Sequence, residues 1–499
     1  MRREWSLIPN TMTTVKHIIL LLAGIAQSFA ATCNVESSNG ASDDSPAITE
    51  AFARCAKDSV INFAEGARYN VYNPISAHNL SNVTINMQGN LHMPENVTYV
   101  QSLVNASAAN TNATALYWLD FLGPSINWIG TSNVSNGWIE CYGQSWWDLN
   151  PVNGTGTSSR PHLMSWSTSN AVMQHMKVHQ MIAWGVSVNG TNLTISDTFI
   201  DCYSNTSTGI GGIGFPFNTD GFDVKGDHIS ILDSTIYNGD DAIAIQSGSS
   251  NILFRGGIIG YHSHGMSIGS LGQDQSKRAT VTNVTIDDVT VVDAVYAARF
   301  KSWIGGQGIA KNITWSNIRT FNVSFPIFIT QSYFNQGSAQ TKLENGTTTG
   351  RPNNSSVVMQ NFKFVNFTGT VSKTCISKVD VGLTTCQIAS YNYGDGSCVT
   401  TPCWVNLRFP VCLMETDFWQ YDVGLPPMRS GTDTIIVECN TNVSCTDFTF
   451  ENIQVMPQNQ FMPTQICINA TEKLNPNLGL DVDNQGYCTN GTYVPRKIA

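Results

Sequence analysis

The sequence has 499 residues, 41% of them hydrophobic and only 12% charged, with 41 glycines, 13 cysteines and a formal net charge of −10. It is too apolar for a disordered chain, and charges at about half the usual one quarter exclude a salt-bridge-laced coiled coil or helical bundle. The acidic balance excludes the clustered positive charge that non-specific nucleic-acid binding requires.

The first thirty residues read as a secretory signal: Arg2, Arg3, Lys16 and His17, then the apolar run Ile18 to Ala26, then Ser28-Phe29-Ala30. Cleavage is expected after Ala30, and Met12 begins an equally complete signal. No later run approaches the ~20 apolar residues of a membrane span, so the expectation is a secreted protein with no membrane partner. About twenty Asn-x-Ser/Thr acceptors, Asn82, Asn96, Asn112, Asn189, Asn283, Asn312, Asn366 and Asn469 among them, agree with export and N-glycosylation, with about half expected to be unused. The cysteines lack zinc-site spacing and suit disulfides in an oxidising compartment, the odd count leaving at least one thiol unpaired. Cys33–Cys55 and Cys439–Cys445 are the expected local pairs, and Cys375, Cys386, Cys398, Cys403 and Cys412 look like a stapled insertion.

Short segments of one type recur along the chain. They begin at Asn82, Asn192, His228, Asn251, Asn283, Asn312, Asn361 and Asp447, and each alternates apolar and polar residues with β-branched or aromatic side chains, as half-buried strands do. From Asn192 the closer starts lie 36, 23, 32 and 29 residues apart. This period, with Gly and Asn at turns and almost no helical pattern, predicts an all-β chain wound as a single-stranded right-handed parallel β-helix, not a propeller of ~40-residue blades or a sandwich. After the signal, residues 31–499 are expected to form one domain, with loop insertions near 95–165 and 330–440.

The densest cluster of chemically useful residues follows within this repeat: Asn218-Thr219-Asp220, Gly239-Asp240-Asp241, Ser263-His264-Gly265 and Arg299-Phe300-Lys301. Solenoid spacing stacks residues one turn apart at about 4.8 Å, so all of these are expected in one column on one face. Three crowded carboxylates cannot all ionise at their ordinary pKa, and at least one should be raised into the range of a general acid. A raised acid beside carboxylates that hold a water is what inverting glycoside hydrolysis requires. Arg299 and Lys301 would supply fixed positive charge for the carboxylate of an acidic sugar.

The four motifs, in this order, resemble those of family 28 glycoside hydrolases, the polygalacturonases. The resemblance implies a pectin-lyase-like solenoid with Asp240 as general acid and Asp220 and Asp241 holding the nucleophilic water. It further implies His264 as tuning partner of the acid, Arg299 and Lys301 as carboxylate clamp, and Asn218 and Tyr333 as substrate-binding residues, with no metal or other cofactor. Ser263 and Phe300 depart from the family's Gly-His-Gly and Arg-Ile-Lys without removing a catalytic group. Ala242 stands where many endo-acting members carry a cysteine, and no cysteine lies between Cys202 and Cys375, so the usual disulfide beside the site is absent. The context Ala297-Ala298-Arg299-Phe300-Lys301-Ser302-Trp303 and the Cys-rich insertion are more similar to the exo-acting fungal members. The implied activity is release of galacturonic acid from the non-reducing end of polygalacturonate, with a pectic polysaccharide as partner and a monomeric enzyme.

Endo action, or action on xylogalacturonan or rhamnogalacturonan, keeps the same fold. A calcium-dependent pectate lyase and a carbohydrate-binding solenoid without an acid/base pair are the competitors from other classes. Asp223 reads as structural and His262 as a surface residue, while Trp146, Trp147 and Trp303 read equally well as sugar-stacking platforms or as core.

Overall fold

The computed structural model describes residues 31–111, 115–151, 156–207, 212–303, 305–333, 341–342, 348–349, 356–372, 433–439, 444–458 and 463–468. Residues 1–30, with the expected signal, and the cysteines from Cys375 to Cys412 lie outside them.

Among the described residues, twenty-nine strands join one hydrogen-bonded sheet system, and every pairing in it is parallel, as in Val186–Ser196 with Phe222–Leu232 and Ser249–Arg255 with Arg278–Asp287. The chain is a right-handed parallel β-helix. Each complete turn contributes a strand to the face that carries the candidate site, bends at a corner, runs along a second face, and closes with a three-residue strand such as Thr235–Tyr237 or Thr290–Val292.

The recurring Asn, His and Asp residues are the corners themselves. Asn82, Asn192, His228, Asn251, Asn283, Asn312, Asn361 and Asp447 all have φ between 53° and 59°. Asn, Asp and His tolerate this left-handed conformation better than other residues with a Cβ, and one such residue turns the strand without a loop. The corner amides then stack. Asn361 donates to Asn312 (2.9 Å), Asn312 to Asn283 (3.0 Å), Asn283 to Asn251 (3.1 Å) and Asn251 to Asp227 (2.8 Å). A second corner repeats the device, with Asn452 donating to Asn366 and Asn366 to Asn317. Several expected glycan acceptors, Asn82, Asn283, Asn312 and Asn366 among them, thus use their Nδ2 within the solenoid.

Between corners, alternation places every second side chain inside. One interior column runs through Ile61, Ile85, Trp128, Met173, Ile195, Ile231, Phe254, Ile286, Trp315, Phe364 and Phe450, each paired in register with the next. All are buried. At its C-terminal end the rings lie nearly parallel, Trp315 on Phe364 at 5.1 Å and Phe364 on Phe450 at 4.7 Å. The helix Ser45–Arg54 lays Ile48, Ala51 and Phe52 over the open N-terminal end, with Phe52 5.2 Å from Phe121. It shields apolar rungs that no preceding turn would cover.

Cys33–Cys55 and Cys439–Cys445 are bonded as expected, and Cys141 and Cys202 are buried free thiols. The stretch 95–165 is not all insertion. Tyr117–Leu122, Ile126–Ile129 and Trp138–Glu140 form a regular turn, paired with the turns on both sides. Its corner is Ser125 (φ 54°) in place of Asn, His or Asp, which hides the strand pattern, and among the described residues the helix Val97–Thr111 and residues 141–151 and 156–161 leave the solenoid. Likewise Val357–Val371, within 330–440, is a full rung. Among the described residues no helix is long and apolar enough to cross a membrane.

Candidate active site

Six successive strands of one face build the site: Val186–Ser196, Phe222–Leu232, Ile243–Ile245, Met266–Leu271, Tyr296–Trp303 and Phe325–Tyr333. Asn218 and Asp220, Asp240 and Asp241, and His264 arrive just before their strands, where the chain turns onto the face, whereas Arg299 and Lys301 lie within Tyr296–Trp303. Asn218 takes the left-handed conformation at φ 56°, and Asp220 and Asp241 follow main-chain bonds that zip adjacent turns, Gly185 to Asp220 (2.9 Å) and Gly221 to Asp241 (2.9 Å). Gly265 shows why this turn needs glycine. Its φ is 70°, and a Cβ there would lie 2.5 Å from the carbonyl oxygens of Tyr296 and Ala297.

All eight residues expected at the site, Asn218, Asp220, Asp240, Asp241, His264, Arg299, Lys301 and Tyr333, line one cavity of about 520 Å³. They do not form one column. Register places Asp223, Ala244, Ser267 and Arg299 side by side, so Arg299 stands further along the strand than Asp220 and Asp241, which precede theirs. The long cationic side chains close the gap. Lys301 Nζ reaches Asp241 Oδ2 at 2.5 Å and Arg299 Nη1 reaches Asp241 Oδ1 at 3.4 Å, while Ser267 Oγ donates to the same Oδ1 at 2.5 Å. Asp241, Arg299 and Lys301 are all buried, and a buried carboxylate needs such partners to stay charged.

Asp240 is differently held. Its Oδ1 accepts from the Asp241 main-chain N–H (2.9 Å) and faces His264 Nδ1 (2.9 Å), and Asn218 Nδ2 donates to Oδ2 (3.3 Å). Burial works to raise its pKa, but His264, Lys301 and Arg299 outweigh burial and hold it well below the usual carboxylate range. Asp220 is the reverse. Burial and then the Asp240 charge push its pKa well up, and its Oδ1 is buried without a hydrogen-bond partner among the described residues. Crowding and burial therefore raise Asp220, whereas Asp240, the expected acid, is held low.

Two side chains, Asp223 and His262, differ from their sequence reading, and the three tryptophans divide between their two readings. Asp223 lines the cavity, accepts from Gln246 at 3.1 Å, and has its pKa raised to about 7 by burial and then by Asp241. His262 is half-buried, with its pKa lowered to about 4 by burial. Trp146 and Trp147 are core residues, whereas Trp303 lies edge-on to Tyr333 at 5.1 Å, supporting the tyrosine under Lys301.

Four contributors carry no motif signal of their own. Tyr296 lies beneath the Arg299 guanidinium at 4.4 Å, and Asn238 ties the Thr219 and Asp241 carbonyls at 2.7 and 2.9 Å. Trp184 and Lys225 line the cavity. They become legible only once the register is known. Asp240, Asp241 and His264 place three possible metal-ligand atoms within 4.8 Å of one another, but Lys301 and Arg299 already occupy Asp241, and their charge opposes a cation there.

Comparison with known proteins identifies the family. Residues 70–390 match the family described as Glycosyl hydrolases family 28. The chain is 48% identical over 461 residues to "Probable exopolygalacturonase C" of Aspergillus terreus, spanning 92% of each, and 46% identical over 473 residues to the protein of that name from Aspergillus niger, spanning 95% and 94%. The fold is similar to the endo-xylogalacturonan hydrolase from Aspergillus tubingensis, with a TM-score of 0.60 at 19% identity over 89% of this chain and 98% of that one. On the matched length and the near full-length relatives, the chain belongs to glycoside hydrolase family 28.

Proposed function

We propose that this protein is a secreted exopolygalacturonase that cleaves α-1,4-galacturonosyl linkages at the non-reducing end of polygalacturonate with inversion, releasing galacturonic acid. The observation that carries the reading is the pairing of Asp241 with Lys301 and Arg299, in one cavity with Asp240, Asp220 and His264. Near full-length similarity to proteins named exopolygalacturonase supports the exo direction.

Asp240 is the acid that protonates the leaving oxygen. His264 Nδ1 and Asp240 Oδ1 share one hydrogen bond, so an imidazolium beside an ionised Asp240 is one proton shift from neutral imidazole beside the protonated acid. Asp220 and Asp241 hold the water, with Asp241 as proton acceptor and the unpartnered Asp220 Oδ1 orienting it. Arg299 has five donors and Lys301 three, so both can hold Asp241 and still reach the carboxylate of a uronic acid. Asn218 and Tyr333 complete the sugar contacts.

The test is product analysis on polygalacturonate over time. Monomer alone from the first minutes supports exo action, whereas a ladder of oligomers means endo action and sinks the proposal. The anomeric form of the first product, read by proton NMR, decides inversion.

A further inference from the structure

Arg160 stands behind the acid end of the cavity, on the segment that leads from the helix Gly143–Trp147 into the strand His162–Gln174. Its Nη1 donates to the Phe217 carbonyl at 2.5 Å and its Nη2 to Asn218 Oδ1 at 2.7 Å. The guanidinium also lies over the Trp184 ring at 5.4 Å, and that ring stacks on His162 at 4.5 Å. A Cβ at Gly156 would meet the guanidinium at 2.5 Å, so the chain passes directly against it. Arg160 is thus fixed on several sides, although it does not itself line the cavity.

An arginine can only donate, so Asn218 must turn its oxygen to Arg160, which leaves its NH2 for Asp240 Oδ2 at 3.3 Å. With the amide reversed, two nitrogen donors would face each other at Arg160 and two oxygens at Asp240. Asn218 cannot settle this alone, because the two ends of an amide have the same shape.

We infer that Arg160 is a positioning residue for the acid: by fixing the sense of the Asn218 amide it keeps a donor on Asp240 Oδ2, and the same guanidinium braces Trp184, so that acid and cavity wall are placed together. This rests on the reading of Asp240 as the general acid.

A double-mutant cycle tests it with Arg160→Gln, Asn218→Ala and the pair, on the full chain with polygalacturonate. Arg160→Gln should lower kcat about tenfold, less than the roughly 10²–10⁴-fold of a whole acid/base contribution because the acid itself is retained, while KM changes less than about threefold. Losing a donor to the ionised acid raises its pKa, so the alkaline limb of the kcat profile should move to higher pH. The double variant should be slower than Asn218→Ala by much less than the loss in Arg160→Gln alone, because Arg160 acts on the acid through Asn218 and only its brace on Trp184 is left to lose. Arg160→Lys, which keeps a cation beside Trp184 but loses the fork, should melt near the parent temperature and still show the shifted limb. Losses that multiply in the double variant, or an unmoved alkaline limb in both Arg160 variants, overturn the inference. Asp240→Asn, assayed in parallel, separates the two claims: surviving turnover there overturns the acid assignment, and a dead Asp240→Asn with multiplying losses overturns Arg160 alone.

Discussion

The corner ladder and the catalytic face use the same repeat in opposite ways. At the corner, four successive turns present an amide that both donates and accepts, so Asn361, Asn312, Asn283 and Asn251 stack by satisfying one another. On the face, neighbouring turns present carboxylates, which only accept when ionised. Stacking them is unfavourable unless other groups intervene: Lys301, Arg299 and Ser267 at Asp241, His264 and Asn218 at Asp240. Asp220 and Asp223, which such partners reach less, carry the raised pKa values. A solenoid therefore stabilises repeated amides for little, and repeated acids only by importing cations, which places unlike protonation states within a few ångströms.

Breaking that contrast at its strongest point, Asp240→Asn should cost about 10³-fold in kcat and leave substrate binding intact, as read by steady-state kinetics and titration with oligogalacturonate. Lys301→Met leaves Asp241 buried with one cation fewer. It should destabilise the fold by about 3 kcal/mol in denaturant melts as well as weaken substrate binding, whereas a change in binding alone would show that Asp241 does not depend on Lys301. On the ladder side, Asn312→Ala loses two amide contacts and leaves a Cβ residue without a local hydrogen bond at φ 57°, for a total of about 2 kcal/mol. Asn312→Gly should recover about half, and equal losses for Ala and Gly would remove the backbone term.

The smallest effect is a change in slope. Asp223 has an ordinary pKa of 3.8 and a folded value of about 7, so the folded state binds the extra proton between these values. Its contribution to stability is greatest below about pH 4 and declines as pH rises to about 7. Asp223→Asn should flatten the dependence of Tm on pH across that window. An unchanged slope would place the titration elsewhere.

Much of the fold was legible because it is periodic. The residues that begin the strand segments are the left-handed corners, and the alternation after them predicts the inward side chains from Leu193 and Ile195 to Phe448 and Phe450. The regular turn within 95–165 was not, because its left-handed corner is Ser125 (φ 54°), without the Asn, His or Asp that begins the other segments. At the site, the motif residues were legible as a set, whereas Arg160, Trp184 and Tyr296 were not. They lie outside the motifs, and nothing in their neighbours marks them.

The sequence by itself determined which groups are present and that they recur at one turn's spacing, since corner chemistry and side-chain alternation are local properties. Only the tertiary structure decided how those groups divide the charge. That depends on register and reach: Arg299 starts opposite Ser267 and ends on Asp241, Asp240 meets His264 and Asn218, and burial leaves Asp220 and Asp223 with raised pKa values.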